Sequence, residues 1–279
     1  MCRLADEGRF EAFEIFGGAA FDLLRGQRDP PDIDVAMLGD ASSALERQSS
    51  LANNPAFSNV TPVGEYWVHL RRQIWVFRAT WRPHMLVDVS VMDHTNEAHF
   101  DVETVVWHFP ELVYTDPFGS LDTEPGVRLV SDIAVENPVL LINRALKVSA
   151  KYGHPAQEAE ILWILNTLAD RAITWWPDDA FHGRSAHDRF LRHLAEATLR
   201  SERPAWLLDL CHRSGVLAAR LPALATRVTK ASGIISQMAS QTTVESFWAT
   251  ADAIVRLPST QWRDYDAARH DVARPEGRT

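Results

Sequence analysis

Ile15 to Val35 reads IFGGAAFDLLRGQRDPPDIDV, and this stretch decides the fold. A short apolar segment ends in Gly17-Gly18. A helix of about two turns follows, Ala19 to Arg25, stopped by Gly26. Gln27 to Pro31 is a charged, proline-broken loop, and a strand opens on Asp32-Ile33-Asp34-Val35. Two glycines ahead of a helix leave bare backbone N–H groups at its positive end, where a phosphate chain can approach closely. Residues i and i+2 of a strand share a face. Asp32 and Asp34 therefore point one way, while Ile33 and Val35 enter the core. Adjacent carboxylates repel unless a cation neutralises them, and Mg²⁺ is the hard cation that suits carboxylate and phosphate oxygens together. A phosphate cradle beside metal-binding acids points to phosphoryl or nucleotidyl transfer.

Downstream, Ala41 to Ala52 is a polar helical stretch ended by Asn53-Asn54-Pro55. The period changes to two from Glu65. Tyr66, Val68 and Leu70 alternate with Trp67 and His69, Arg71-Arg72-Gln73 is a turn, and Ile74 to Thr80 is the returning strand. Met85 to Met92, MLVDVSVM, is a further strand carrying Asp88 between Val87 and Val89. An acid flanked by β-branched residues on a central strand needs a partner, because an isolated buried carboxylate is costly. If that strand lies beside the Asp32 strand, three carboxylates meet where two metal ions can clamp a nucleotide's phosphates.

The pattern predicts a helix over Phe100 to Phe109, a loop at Asp116-Pro117-Phe118-Gly119 and a short strand from Val127 to Val130. From Glu136 it is helical almost to the end, over Val139–Tyr152, Ala156–Ala172, Arg184–Ser201, Ala205–Ser214, Arg220–Ala239 and Val244–Val255. The expected fold is α+β: a head with a small mixed or antiparallel sheet flanked by helices, residues 1–135, then an all-helical second domain, 136–279.

Taken in order, these motifs resemble the head domain of the poly(A) polymerase and CCA-adding enzyme family, within the polymerase-β-like nucleotidyltransferase superfamily. The family signature G-G-x-x-R-D-x-L-L-G, a short loop and D-x-D is similar to Gly17 to Gly26 followed by Asp32 and Asp34. Leu86 to Ser90 looks like the family's next acidic strand. DPFGSLDTEPGVRLVSD, Asp116 to Asp132, looks like its D-P-x-G-G-x-x-D-L loop, and ENPVLLINRALKVSAKYG, Glu136 to Gly153, resembles its neck helix. The likeness covers about residues 15–155. It implies a divergent member of the family. Asp32, Asp34 and Asp88 would be the catalytic, metal-holding acids of a two-Mg²⁺ site, and Gly17, Gly18 and Asp22 would lie at the nucleotide.

This chain also departs from the family pattern. The signature Arg is Phe21, and the R-R-D segment reads His99-Phe100-Asp101. The base-reading Asp and first Arg of the neck look replaced by Asn137 and an apolar residue near Leu140. The metal and phosphate residues are retained, while nucleotide selection and part of the triphosphate grip are lost. Arg144, Lys147 and Lys151 fall at i, i+3 and i+7 of one helix and share a face. Arg144 and Lys147 are thus candidate nucleotide-binding cations, and a solvated surface stripe is the equal alternative.

Composition narrows the function classes. The 279 residues are 46% hydrophobic and carry a net charge of −9, which disfavours tight non-specific RNA or DNA binding. Cys2 and Cys211 form no disulfide framework. No apolar run is long enough to cross a membrane and no signal h-region opens the chain, so a soluble cytoplasmic protein without membrane contact is expected. No G-x-S-x-G elbow or Walker loop occurs, and His182, His187 and His193 lack helical zinc spacing. The leading expectation is an enzyme that transfers a nucleoside monophosphate from ATP or another NTP to an acceptor, releasing pyrophosphate. The acceptor is an RNA 3′ end, as in RNA processing, or a small molecule or protein, as in resistance or toxin activities. A degenerate nucleotide-binding or interaction module is the remaining alternative.

Overall fold

The computed structural model describes residues 4, 6–7, 12–26, 30, 32–68, 72–81, 85–92, 98–124, 126–132, 138–174, 186–231 and 233–256. Arg71, Glu136, Asn137 and His182, each weighed in the sequence, lie outside the described residues, as does the side chain of His187. The chain divides into two compact units, Met1–Asp132 and Ile133–Thr279.

The first unit is built on one mixed sheet of seven strands: β1 (Phe13–Phe16), β2 (Asp32–Leu38), β3 (Phe57–Val68), β4 (Arg72–Trp81), β5 (Met85–Met92), β6 (Val106–Phe109) and β7 (Val113–Thr115). Their spatial order is β3-β4-β5-β2-β1-β6-β7. Only β2 and β5 run parallel; the other neighbours are antiparallel. The parallel pair requires a crossover. It is made by helix α2 (Ala41–Ala52) and the β3–β4 hairpin.

The strand alternation is realised as two dissimilar faces. Ile15, Ile33, Val35, Val87, Val89, Val91 and Ala79 are fully buried. Each large apolar side chain buried this way contributes about 1.5–3 kcal/mol. Helix α1 (Gly17–Leu24) packs on β1, β2 and β6, and α2 packs on β3, β4 and β5. Asp40 starts α2 by accepting a hydrogen bond from the Ser43 N–H at 3.0 Å, while the Ser42 hydroxyl donates to it at 2.8 Å. These bonds hold the Asp40 carboxyl down at about 2.

Two expectations for this unit change. Phe100 to Phe109 is not a helix. A 3₁₀ turn, Asp101–Glu103, leads into β6, and Val127 to Val130 contributes a single bridge, Leu129 to Phe100. Asp101 holds the turn, its Oδ1 accepting from the Val102 N–H at 2.9 Å and the Arg128 N–H at 3.4 Å. Arg72 and Gln73, read as a turn, begin β4.

Phe21, which stands where the family signature has arginine, is a core residue at 1% exposure. Arg25, one helical turn on, lies over its ring at 5.5 Å. The Arg25 guanidinium donates to the carbonyls of Thr123 at 2.6 Å and Leu121 at 3.4 Å. Asp116 braces the same loop, accepting from the Ser120 and Leu121 N–H groups at 3.0 and 2.8 Å.

The second unit is all helical among its described residues: α3 (Pro138–Tyr152), α4 (Glu158–Thr174), α5 (Ala186–Arg200), α6 (Pro204–Arg213), α7 (Val216–Arg220), α8 (Pro222–Lys230), α9 (Gly233–Ala239) and α10 (Val244–Arg256). Helix α3 packs on α4 and α5 through Leu141, Ile142, Ala145 and Leu146, all buried. The single helix expected over Arg220 to Ala239 is broken in two places. Pro222 has no N–H to continue a helix and becomes the first residue of α8, and Ala231 turns extended before Gly233. No helix among the described residues is long and apolar enough to cross a membrane.

Two stability outcomes follow from the first unit. Phe21→Ala is expected to lower the unfolding free energy by about 3–5 kcal/mol, read from urea unfolding monitored by circular dichroism. Burial raises the Asp101 carboxyl above its ordinary 3.8. An acid whose folded pKa is raised favours the native state below 3.8 and loses that contribution as pH climbs through the folded value. Asp101→Asn keeps the accepting oxygen and removes the charge. Thermal melts should show the variant gaining on the wild type between pH 4 and pH 7.

Candidate active site

The polar face of the sheet carries the expected acids. In the parallel register Asp34 stands opposite Asp88, and Asp32 opposite Leu86. Neighbouring strands are about 4.8 Å apart, so the Asp34 and Asp88 side chains leave the same face as direct neighbours. Asp32 is two residues before Asp34 on that face and, like Asp34 and Asp88, is partly exposed.

The row continues in both directions. Asp34 pairs with Phe16 of β1, the residue immediately before the twin glycines. Gly17 has φ +69, a left-handed conformation that disfavours any residue with a Cβ. A Cβ placed there would lie 3.7 Å from Asp34 Oδ2. The glycine corner and the acid strand are thus in contact. Gly17 and Gly18 are the first turn of α1 rather than a lead-in to it. Phe16 gives that end no side-chain cap, and no acid lies in the first turn. An anion at this end meets no competing carboxylate from the helix itself. Asp22 is buried in α1 at 4% exposure.

On the far side of Asp88 the register partner is Arg78 of β4. Its guanidinium forks onto the carboxylate, Nε to Oδ1 at 2.6 Å and Nη2 to Oδ2 at 2.5 Å. The Arg78 side chain is 45% exposed and that of Asp88 15%. Reading the sequence missed Arg78. It lies in a segment recognised as a strand, and the signal was its phase: Phe77 and Ala79 face the core, so Arg78 must face the acids.

The donor set is all oxygen, comes from two adjacent strands and lies on one face, which fits a hard divalent ion such as Mg²⁺. Among the described residues no group of three or more His, Cys, Asp or Glu is gathered to hold a metal, and Asp88 has both oxygens engaged by Arg78. Arg144 and Lys147 are on α3 of the second unit, Arg144 partly buried and Lys147 exposed. Lys151, next on that stripe, stands 5.0 Å from the centre of the Tyr152 ring.

No family model matches the chain, and no curated protein matches it in sequence. Solved structures share its fold. A CCA-adding enzyme in complex with CTP superposes with a TM-score of 0.58 at 15% identity, covering 95% of this chain and 62% of the enzyme. The Thermotoga maritima CCA-adding enzyme complexed with tRNA gives 0.56 at 14% identity, covering 95% and 63%. A tRNA nucleotidyltransferase complexed with a primer tRNA and an incoming ATP analogue gives 0.53 at 17% identity, covering 97% and 84%. The chain thus spans about three fifths of the length of the first two. A mixed sheet followed by a helical unit is the architecture this chain shares with these solved structures.

Proposed function

We propose that the protein is a metal-dependent nucleotidyltransferase that joins a nucleoside monophosphate from an NTP to an acceptor hydroxyl, with an RNA 3′ end as the leading acceptor. The observation that carries this reading is the Asp34–Asp88 pairing with Gly17 packed against Asp34. Side-by-side carboxylates on an open face serve no core, and a helix N-terminus beside them supplies the complementary anion site. The shared fold supports the same conclusion.

Asp32, Asp34 and Asp88 would hold the ions, which when bound supply charge neutralisation of the triphosphate and a more acidic acceptor hydroxyl. Gly17 and Gly18 let the phosphate chain approach the α1 backbone without a side chain between. Asp88, in reach of the acids' common face, helps to take the acceptor's proton. Pyrophosphate leaves as the phosphodiester forms. The net charge of −9 favours a second reading of the acceptor, a small molecule or a protein in place of a long nucleic acid.

Incubation with each labelled NTP and total cell RNA, in Mg²⁺ and in chelator, tests the reading. Label at RNA 3′ ends in Mg²⁺ alone is the expected result. Asp34→Ala should keep its circular dichroism spectrum and lose at least about a hundredfold in transfer rate. Undiminished labelling by that variant excludes the assignment. Gly17→Ala forces a Cβ into a left-handed residue at a cost of about 1–2 kcal/mol and sets a methyl against Asp34. A lowered melting temperature and an NTP KM raised by about tenfold are expected.

A further inference from the structure

Arg78 has no part in the reading so far, yet it is the cation nearest the acids in the sheet register. The cross-strand row runs Arg78, Asp88, Asp34, Phe16, and the next residue after Phe16 is Gly17. Two parallel hydrogen bonds occupy both Asp88 oxygens, which are the atoms an ion would need. The fork that matches a carboxylate also matches a phosphate. Nearly half of the Arg78 side chain remains open to solvent.

We propose that Arg78 is a positioning residue that exchanges partners when substrate arrives: it neutralises Asp88 in the resting head, releases it to the divalent ion, and turns its guanidinium to the triphosphate. This rests on the nucleotidyl-transfer reading. The charge logic sets the order. With the acids alone on the face, Arg78 relieves their mutual repulsion and is attracted to them. An arriving dication reverses the local sign, repels the guanidinium and competes for the same oxygens. The polyphosphate brought with the ion offers the displaced fork a stronger acceptor. With 45% of its side chain in solvent, Arg78 can turn away from Asp88 without crossing the core.

The exchange makes a prediction of opposite signs. Arg78→Gln removes the competitor for Asp88 and one phosphate ligand. Mn²⁺ binding to the full chain without nucleotide, followed by the electron paramagnetic resonance of the free ion, should tighten by about tenfold. Inorganic tripolyphosphate binding in saturating Mn²⁺, followed by calorimetry, should weaken by about tenfold. Arg78→Lys keeps the charge and loses the fork, so it should shift both affinities the same ways by about threefold. It also carries the test if the glutamine variant does not fold. Removal of a fixed charge instead gives opposite shifts in Arg78→Gln and none in Arg78→Lys; that result, or shifts of one sign, overturns the exchange. The two readings separate cleanly. Opposite shifts in a protein that transfers no nucleotide leave the exchange standing and remove the transfer reading. Labelling of an acceptor with parallel shifts does the reverse.

Discussion

Two like charges meet in the middle of a sheet, and much of the head is arranged around that contact. Parallel pairing of β2 with β5 sets Asp34 beside Asp88, and the two-residue period adds Asp32 to the same face. Carboxylates this close repel at any effective dielectric found near a protein surface. The opposite face supplies the opposing stabilisation. Ile33, Val35, Val87, Val89 and Val91 alternate with the acids and are completely buried. A slip of one residue in either strand would bury the carboxylates and expose the valines, so the hydrophobic face enforces the register that the acids oppose.

The polar face then distributes the charge. Arg78 takes both oxygens of Asp88 from one side, and the α1 terminus approaches Asp34 through Gly17 from the other. The positive φ at Gly17, a conformation strained for any residue with a Cβ, sets the course of that approach. The corner is steadied from behind by the buried Phe21 and by Arg25, which reaches the carbonyls of the Asp116–Thr123 loop. A core aromatic thus occupies this position of α1, and a cation one turn later braces a loop.

Much of this was legible in the sequence. The Asp32 and Asp88 strands, the Ala41–Ala52 helix and the helix ending at Tyr152 all announce themselves by period and by punctuation, and the Gly-Gly pair marks α1, although it opens that helix instead of preceding it. What stayed hidden depends on long-range register. Arg78 reads as one polar residue of a strand, and only the β4–β5 pairing makes it the partner of Asp88. Strands β6 and β7 have four and three residues, too few to establish a period, and a helix is the natural reading of their flanks. Pro222 was legible and overlooked: its missing N–H divides a pattern whose apolar spacing continues across it.

The crossover between β2 and β5 also has a bearing on how the head is made. Asp34 and Asp88 are 54 positions apart in the chain, with α2 and the whole β3–β4 hairpin between them. Closing so long a segment costs chain entropy before the pairing returns anything. Local pieces, the hairpin and α2 among them, are therefore free to form while the acids are still distant and fully hydrated. Carboxylate repulsion enters only when β5 docks on β2, the same pairing that joins their valine faces. The acids become neighbours only through the pairing of β2 with β5, so the carboxylate cluster and the central strand pair form together.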